Sequence, residues 1–331
     1  MERIIAVIVS HNRHAQLVQA IEAIRQQTLP PTNILVVNNG SSDLTSVWLD
    51  KQEDIIQIYQ DNKGSAGGYH AGISWAYENK YSWIWCMDDD SYPAADALQQ
   101  LMAFRSSTTR LLNSAVLNKE DKFSFVWPTA GCENIGQVNT DCIEGEGFPF
   151  NGTLLHRDII EKAGLPKPGL FYWGEEREYF YRIVNQHGIS AVTVMASKHY
   201  HPPATYSHRS EWDYQTSWKM YFYVRNRLPV LQAKHNNKLV AFYQYAYFVA
   251  AFLWSIMKFQ QESRFRKALF TFWPAMDAIR GKYTATPGLI IGRLNEKHQQ
   301  SISALLFSPI KRALLTWLLP VQIDNSSPAT S

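Results

Sequence analysis

Four short apolar runs, each closed by a polar turn, set the pattern of the N-terminal part of the chain. RIIAVIVS (residues 3–10) is aliphatic and β-branched, is bounded by the polar HNRH, and predicts a buried strand. NILVVNN (33–39), DIIQIYQ (54–60) and WIWCM (83–87) predict three more. Between the first two, LVQAIEAIRQQ (17–27) places Leu17, Ala20, Ile21 and Ile24 at helical spacing and stops at TLPP. Ala71, Ile73, Trp75 and Ala76 mark a second helix ahead of the fourth strand. Strand–helix alternation with crossovers of this length predicts an α/β fold, a mostly parallel sheet flanked by helices on both faces.

The polar punctuation falls at the strand ends. HNR follows the first strand, NNGSSD the second, DNKGSAGG the third and three aspartates the fourth. Ligands of such sheets sit beyond the carboxyl ends of the strands, so the four turns predict one shared site. Asp88, Asp89 and Asp90 follow an apolar strand directly, and adjacent carboxylates repel unless a cation or solvent screens them. A hard divalent cation, Mn²⁺ or Mg²⁺, bridging to a diphosphate would use such a cluster. A solvated acidic turn would present the same letters.

Three further stretches carry candidate chemistry. Asn62-Lys63-Gly64-Ser65-Ala66-Gly67-Gly68 opens a helix and could bring backbone N–H groups to a phosphate or sugar, although it is not G-x-G-x-x-G and glycine turns are common. In FYWGEEREYFYRI (171–183), Glu178 and Arg182 stand four apart and predict a structural ion pair. That leaves Glu175 and Glu176 at a helix start beside Trp173, either as a general base toward a hydroxyl or as acids that suit the helix dipole. His199 and His201, in KHYHPP after the apolar AVTVMAS, offer an imidazole to a carboxylate-bound metal. The expectation here is that the strand turns the two rings to opposite faces, leaving at most one for the site.

Composition changes the picture mainly beyond residue 214. With 46% hydrophobic and 18% charged residues, the 331-residue chain is globular, one large domain with an appendage. Its net charge is only +3, yet residues 215–320 hold fifteen basic side chains against three acidic ones. The division is therefore an acidic part, 1–214, and a basic, aromatic, helical part, 215–331. LVAFYQYAYFVAAFLWSIM (239–257) approaches the roughly 20 residues of a membrane span, but Gln244 and several tyrosines favour an amphipathic or buried helix. ISALLFSPIKRALLTWLLPV (302–321) has the basic and aromatic character of a segment lying on an anionic membrane surface. Packing or homo-oligomer formation is the alternative use of this region, and no nucleic-acid partner is expected. Cys86, Cys132 and Cys142 lack C-x-x-C spacing and suit a reduced, cytoplasmic compartment. The N-terminus reads as a strand, without the apolar core of a signal peptide.

Taken together, residues 3–230 resemble the inverting family-two glycosyltransferases of GT-A (Rossmann-like) fold, and within them the bacterial galactofuranosyltransferases and neighbouring rhamnosyltransferases. The likeness rests on IVSHNR, VVNNGSSD, NKGSAGGYHAG, the Asp triplet, a W-x-acid-acid-x-E block followed by Arg, a later His, and YFYVRN (221–226). It implies that Asp88 and Asp90 ligate Mn²⁺ or Mg²⁺ on a nucleotide diphosphate, with Asp89 near the ribose or sugar. His201 matches the family's metal-ligand histidine, with His199 as the fallback. Ser10, Asn12, Arg13, Asn39 and Asp61 would line the nucleotide pocket, with Gly67 and Gly68 in the adjoining glycine turn, and Trp173 would be an acceptor platform. Glu176 matches the base that deprotonates the acceptor hydroxyl, with Glu175 as its rival, since the family usually has aspartates there. The implied reaction moves galactofuranose from UDP-galactofuranose to a lipid-linked glycan during bacterial surface polysaccharide synthesis, such as O-antigen, by an enzyme peripheral to the inner face of the cell membrane. Transfer from dTDP-rhamnose is the alternative. From other classes, a metal-dependent nucleotidyltransferase or phosphohydrolase would use the same triplet, and a non-catalytic carbohydrate- or membrane-binding protein the same aromatics.

Overall fold

A computed structural model describes residues 2–203, 209–214 and 217–296. The segment 302–321, expected on a membrane surface, lies outside the described residues.

The elements run β1 (Ile4–Ser10), α1 (His14–Arg25), β2 (Asn33–Asn39), α2 (Thr45–Leu49), β3 (Ile55–Gln60), α3 (Gly64–Glu78), β4 (Trp83–Asp88), β5 (Tyr92–Pro93), α4 (Ala97–Phe104) and β6 (Leu111–Asn118). There follow β7 (Ser124–Thr129), β8 (Cys132–Asn134), β9 (Cys142–Glu144), β10 (Asn151–His156), α5 (Arg157–Ala163), α6 (Glu175–Tyr181) and β11 (Ala191–His201). A helical layer closes the described chain: α7 (Trp218–Arg225), α8 (Arg227–Lys234), α9 (Lys238–Phe259), α10 (Arg264–Ile279) and α11 (Pro287–Glu296).

The main path of the sheet is β3-β2-β1-β4-β10-β6-β11-β5. β3, β2, β1 and β4 are parallel, as the aliphatic runs predict. β10 then inserts antiparallel between β4 and β6, so the far half is mixed. The near half explains its own sequence. Ile4, Ala6 and Ile8 pack with Leu17, Ile21 and Ile24 of α1 on one face, while Ile5, Val7 and Val9 pack with Tyr69 and Ile73 of α3 on the other. A strand covered on both sides has no polar face, so it reads as a continuous apolar run. Each such side chain contributes roughly 1.5–3 kcal/mol by leaving water.

Glycines set how closely α3 lies on the sheet. A Cβ at Gly68 would stand 2.3 Å from Val9 Cγ1, and one at Gly72 would stand 2.6 Å from Val7 Cγ1. Register pairs Ser10 with Asn38, Val9 with Asp88, and Asn39 with Gln60. The four turns therefore line up along one edge of the sheet.

The C-terminal helices bury their own cluster, including Met220, Tyr221, Phe222, Phe252, Ile256 and Phe270, and Phe171 from the N-terminal part joins it. Among the described residues, α9 is the one helix long and apolar enough to cross a membrane. One side, with Ala241, Tyr245, Phe252 and Ile256, is buried. The other exposes Leu239, Tyr243, Tyr247 and Trp254. The helix is thus partly buried, with an outward apolar face in place of the polar one an amphipathic helix would have.

Candidate active site

The site begins where β4 delivers its carboxylates. Asp88 accepts a 2.7 Å hydrogen bond from the Tyr69 hydroxyl, which reaches across from α3. Asp89 turns inward and accepts from the His11 backbone N–H at 3.3 Å and from the Arg13 guanidinium at 3.0 Å. Arg13 also pairs with Asp90. One guanidinium is thus shared between two of three carboxylates. Burial, and then the Asp90 charge, push Asp88 up to about 8. Burial pushes Asp89 up to about 6 against the pull of Arg13. The corner is short of positive charge, as crowded buried carboxylates must be.

Asp88, Asp90 and His201 each offer a ligand atom, all within 4.8 Å of one another. His201 Nδ1 lies 2.6 Å from the Pro202 carbonyl oxygen, which places the ring proton there and leaves the Nε2 lone pair, 3.8 Å from Asp90 Oδ1, for a ligand. Two carboxylates and a neutral imidazole fit a divalent cation.

His199 does something else. It is fully buried, and its Nε2 donates to Ser91 Oγ at 2.8 Å, while Ser91 gives its own proton to the Asp88 carbonyl oxygen at 3.1 Å. Burial, reinforced by His201, holds His199 down to about 3, so it stays neutral. The expectation that the two rings point to opposite faces is corrected here. Residues two apart on a strand share a face, and both rings reach the 88–91 turn. Depth separates them: His199 props the turn from beneath and His201 sits at its rim.

The other turns divide into braces and open groups. Asn12, at φ +54°, accepts from the Ser42 N–H at 2.7 Å, and its own N–H donates to Ser41 Oγ at 3.1 Å, tying the first turn to the second. Ser10 is fully buried at the end of β1. Asn39 accepts from the Lys63 N–H (3.1 Å) and Gln60 Nε2 (2.8 Å) and donates to the Gly64 carbonyl (3.0 Å). It shapes the pocket from within. Asp61 is exposed. The glycine turn is not an open cradle: the Gly64 N–H is taken by Asn62 Oδ1 at 2.9 Å and the Ala66 N–H by the Phe171 carbonyl at 3.2 Å. Gly67 and Gly68 lie inside α3 as close-packing positions against Lys63 and Val9. The expectation of backbone N–H groups offered to a phosphate gives way to that packing.

Across from the acid corner, the chain bends sharply ahead of α6. Phe171 (φ +63°), Trp173 (φ +57°) and Gly174 (φ +100°) all take left-handed backbone, a strained run that needs support from its surroundings. It delivers Glu175 and Glu176 to the first turn of α6. Glu175 is 4% exposed and accepts from Ser65 Oγ, while its Oε2 has no hydrogen-bond partner among the described residues. Burial, and then the Glu176 charge, hold Glu175 well above the usual carboxylate range, so it is a neutral acid. Glu176 is half-buried and accepts from the Gly174 N–H at 3.2 Å. The Glu178–Arg182 pair forms as predicted, at 3.0 Å.

Trp173 stacks on Tyr172 at 5.1 Å and 27°, with the Lys219 ammonium 6.0 Å from its ring. Burial, then Glu175, push the Tyr172 hydroxyl up to about 12, with Asp88 and Glu176 adding to the rise and Arg13 opposing it. Ser65 Oγ and the Ala66 N–H tie the 171–175 segment to the glycine turn, so Glu175 and Glu176 stand at the same end of the sheet as the acid corner. Sequence reasoning missed Tyr69, Ser65, Ser91, Tyr172 and Lys219; only Tyr69, Ser65 and Tyr172 lay within a quoted motif.

The neutral Glu175 has a measurable consequence. The unfolded chain releases its proton near 4.5, whereas the folded chain keeps it. Above that pH, folding is disfavoured by up to about 1.4 kcal/mol per pH unit until the folded value is passed. Glu175→Gln removes this effect, so its melting temperature relative to wild type should climb as the pH rises above about 4.5. A difference that does not change with pH would contradict the assignment.

Comparison with known proteins bears on the family and the fold. Residues 5–163 match the model of Glycosyl transferase family 2. Galactofuranosyltransferase GlfT1 of Mycolicibacterium smegmatis is 27% identical over 220 residues, covering 62% of this chain and 72% of that protein. GlfT1 of Mycobacterium tuberculosis is 27% identical over 216 residues, covering 61% of this chain and 70% of its own length. Among solved structures, S. aureus TarS 1-349 in complex with UDP shares the fold, with a TM-score of 0.52 at 12% identity over 85% of this chain and 82% of that chain. Residues 5–163 thus carry a family-two glycosyltransferase domain, and the chain is a glycosyltransferase of GT-A fold.

Proposed function

We propose that the enzyme moves galactofuranose from UDP-galactofuranose to a hydroxyl of a lipid-linked glycan, by a metal-assisted displacement with inversion, in bacterial surface polysaccharide synthesis. The feature that supports this reading is the placement, at one end of the sheet, of the Asp88, Asp90 and His201 ligand set and of the half-buried Glu176 carboxylate near Trp173. The likeness to two galactofuranosyltransferases supports the choice of donor.

Arg13 and Asp61 present charge to the nucleotide, on a pocket shaped by Ser10, Asn12 and Asn39. Asp88, Asp90 and His201 would hold the cation, and an imidazole among the ligands favours Mn²⁺ over Mg²⁺. When bound, the cation supplies charge neutralisation to the departing diphosphate. Glu176 accepts the proton of the acceptor hydroxyl, and the oxygen attacks the anomeric carbon from the face opposite the nucleotide. Glu175 stays neutral and adds no second charge beside that base. The Trp173–Tyr172 stack offers a flat apolar surface to the acceptor sugar.

Attachment at the inner face of the membrane would run through the outward side of the last helices. Leu239, Tyr243, Tyr247 and Trp254 are 80%, 73%, 70% and 60% exposed along one face of α9. Exposed Phe265, Phe272 and Ile279 follow at seven-residue spacing on α10, with Lys258, Arg264 and Arg266 exposed nearby. Aromatics bordered by basic residues suit an anionic bilayer surface. Replacing Tyr247 and Trp254 with serine should reduce sedimentation with anionic vesicles and leave UDP affinity unchanged; undiminished sedimentation would exclude this face.

The reading is tested by incubating the protein with Mn²⁺, a polyprenyl-diphosphate-linked glycan and each sugar nucleotide in turn. Addition of one hexose from UDP-galactofuranose is expected. Turnover of dTDP-rhamnose alone would overturn the donor assignment, and product release that needs no acceptor would indicate nucleotidyl transfer or phosphohydrolysis.

A further inference from the structure

YFYVRN (221–226) stood out in the sequence without a role. We infer that its last two residues, Arg225 and Asn226, are positioning residues that clamp the strained 169–174 loop, and so set where Trp173 and Glu176 stand. The inference rests on the reading of Glu176 as the base.

The clamp is made of side-chain donors and main-chain carbonyls. The two N–H groups of Asn226 Nδ2 are shared among the carbonyl oxygens of Leu170 (2.8 Å), Tyr172 (2.9 Å) and Trp173 (2.7 Å). Arg225 Nη2 donates to the carbonyls of Gly169 (2.9 Å) and Leu170 (2.8 Å). Arg225 Nε donates to Asn226 Oδ1 at 2.9 Å, which fixes the amide with its nitrogen toward the loop. Both side chains are essentially fully buried. Gly174 closes against them: a Cβ there would stand 3.3 Å from Asn226 Cβ.

Left-handed residues at 171, 173 and 174 keep the backbone after the short 168–170 turn out of any helix or strand ladder, so the Tyr172 and Trp173 carbonyls need donors from elsewhere. On its other side, the Phe171 carbonyl accepts from the Ala66 N–H. The loop is therefore held between the glycine turn on the donor side and this pair from the helical layer. Among the described residues no carboxylate forms an ion pair with Arg225. Its charge is met by carbonyl dipoles and by the faces of Tyr221, Phe222 and Tyr283, at 5.5, 4.8 and 5.1 Å. A guanidinium buried without a carboxylate is a poor stabiliser, whereas its fork suits two neighbouring carbonyls.

Asn226→Asp keeps the shape and loses the donors; Arg225→Lys keeps the charge and loses the fork. In both, kcat should fall about 100-fold and the acceptor KM should rise, because a misplaced base and platform misalign attack. UDP affinity in Mn²⁺ should stay within about twofold of wild type, since the donor corner lies on other elements. Independently of any transfer, hydrogen exchange of the 170–176 amides should quicken while β1 and β4 stay protected. Unchanged exchange in that loop, or equal loss of UDP affinity and kcat, would overturn the clamp. If Asn226→Asp fails to fold, Arg225→Lys decides by the same readouts, and loss of folding in both would reduce the pair to core packing. Absence of transfer by the wild type would count against the proposed function and leave the exchange result standing for the clamp.

Discussion

Glu176→Gln should lower kcat for sugar transfer by about 10²–10⁴-fold, with UDP affinity and melting temperature close to wild type. The amide keeps the size of the side chain and can still accept from the Gly174 N–H, so the loop has no reason to move. It cannot take the acceptor's proton. Glu175→Gln is the control: the buried acid is already neutral, and an amide oxygen still accepts from Ser65 Oγ. That variant should keep most of its activity. The reverse ranking in steady-state kinetics would move the base to Glu175 and undo the distinction between the open and the buried acid.

Asp88→Asn should produce the second large effect, and in two directions at once. UDP affinity in Mn²⁺ should fall more than about 100-fold, because an inner ligand is lost and not merely an outer partner. Melting in EDTA should occur at the same temperature or higher. Burial and the Asp90 charge hold Asp88 up to about 8, which disfavours folding at neutral pH, and the amide removes that cost. The Tyr69 hydroxyl can still donate to the asparagine oxygen. Calorimetry with UDP and Mn²⁺, beside melting in chelator, checks both halves. A variant that binds UDP normally, or that is strongly destabilised without metal, would make the triplet a structural turn.

The parallel near half of the sheet was legible because β1, β2 and β4 are buried on both faces and so read as apolar runs. Their turns were legible because polar residues cannot continue such a run. The Glu178–Arg182 pair followed from helical spacing alone. What escaped depends on contacts distant in sequence. Gly68 suggested a phosphate turn until α3 was seen lying on Val9. The histidines were misjudged because period two puts alternate residues on one face, and only the depth of the 88–91 turn tells His199 from His201. Asn226 bonds carbonyls more than fifty residues earlier, which no local pattern reveals. The length and apolar character of α9 were readable, but not that its outward face would be its most aromatic one.

The most direct measurement is a crystal structure of the protein soaked with UDP and Mn²⁺. The cation should be bound by Asp88, Asp90, His201 and both phosphates, with the Glu176 carboxylate across the cleft from the diphosphate. UDP bound elsewhere, or bound at this edge of the sheet with no cation among those three side chains, would contradict the account.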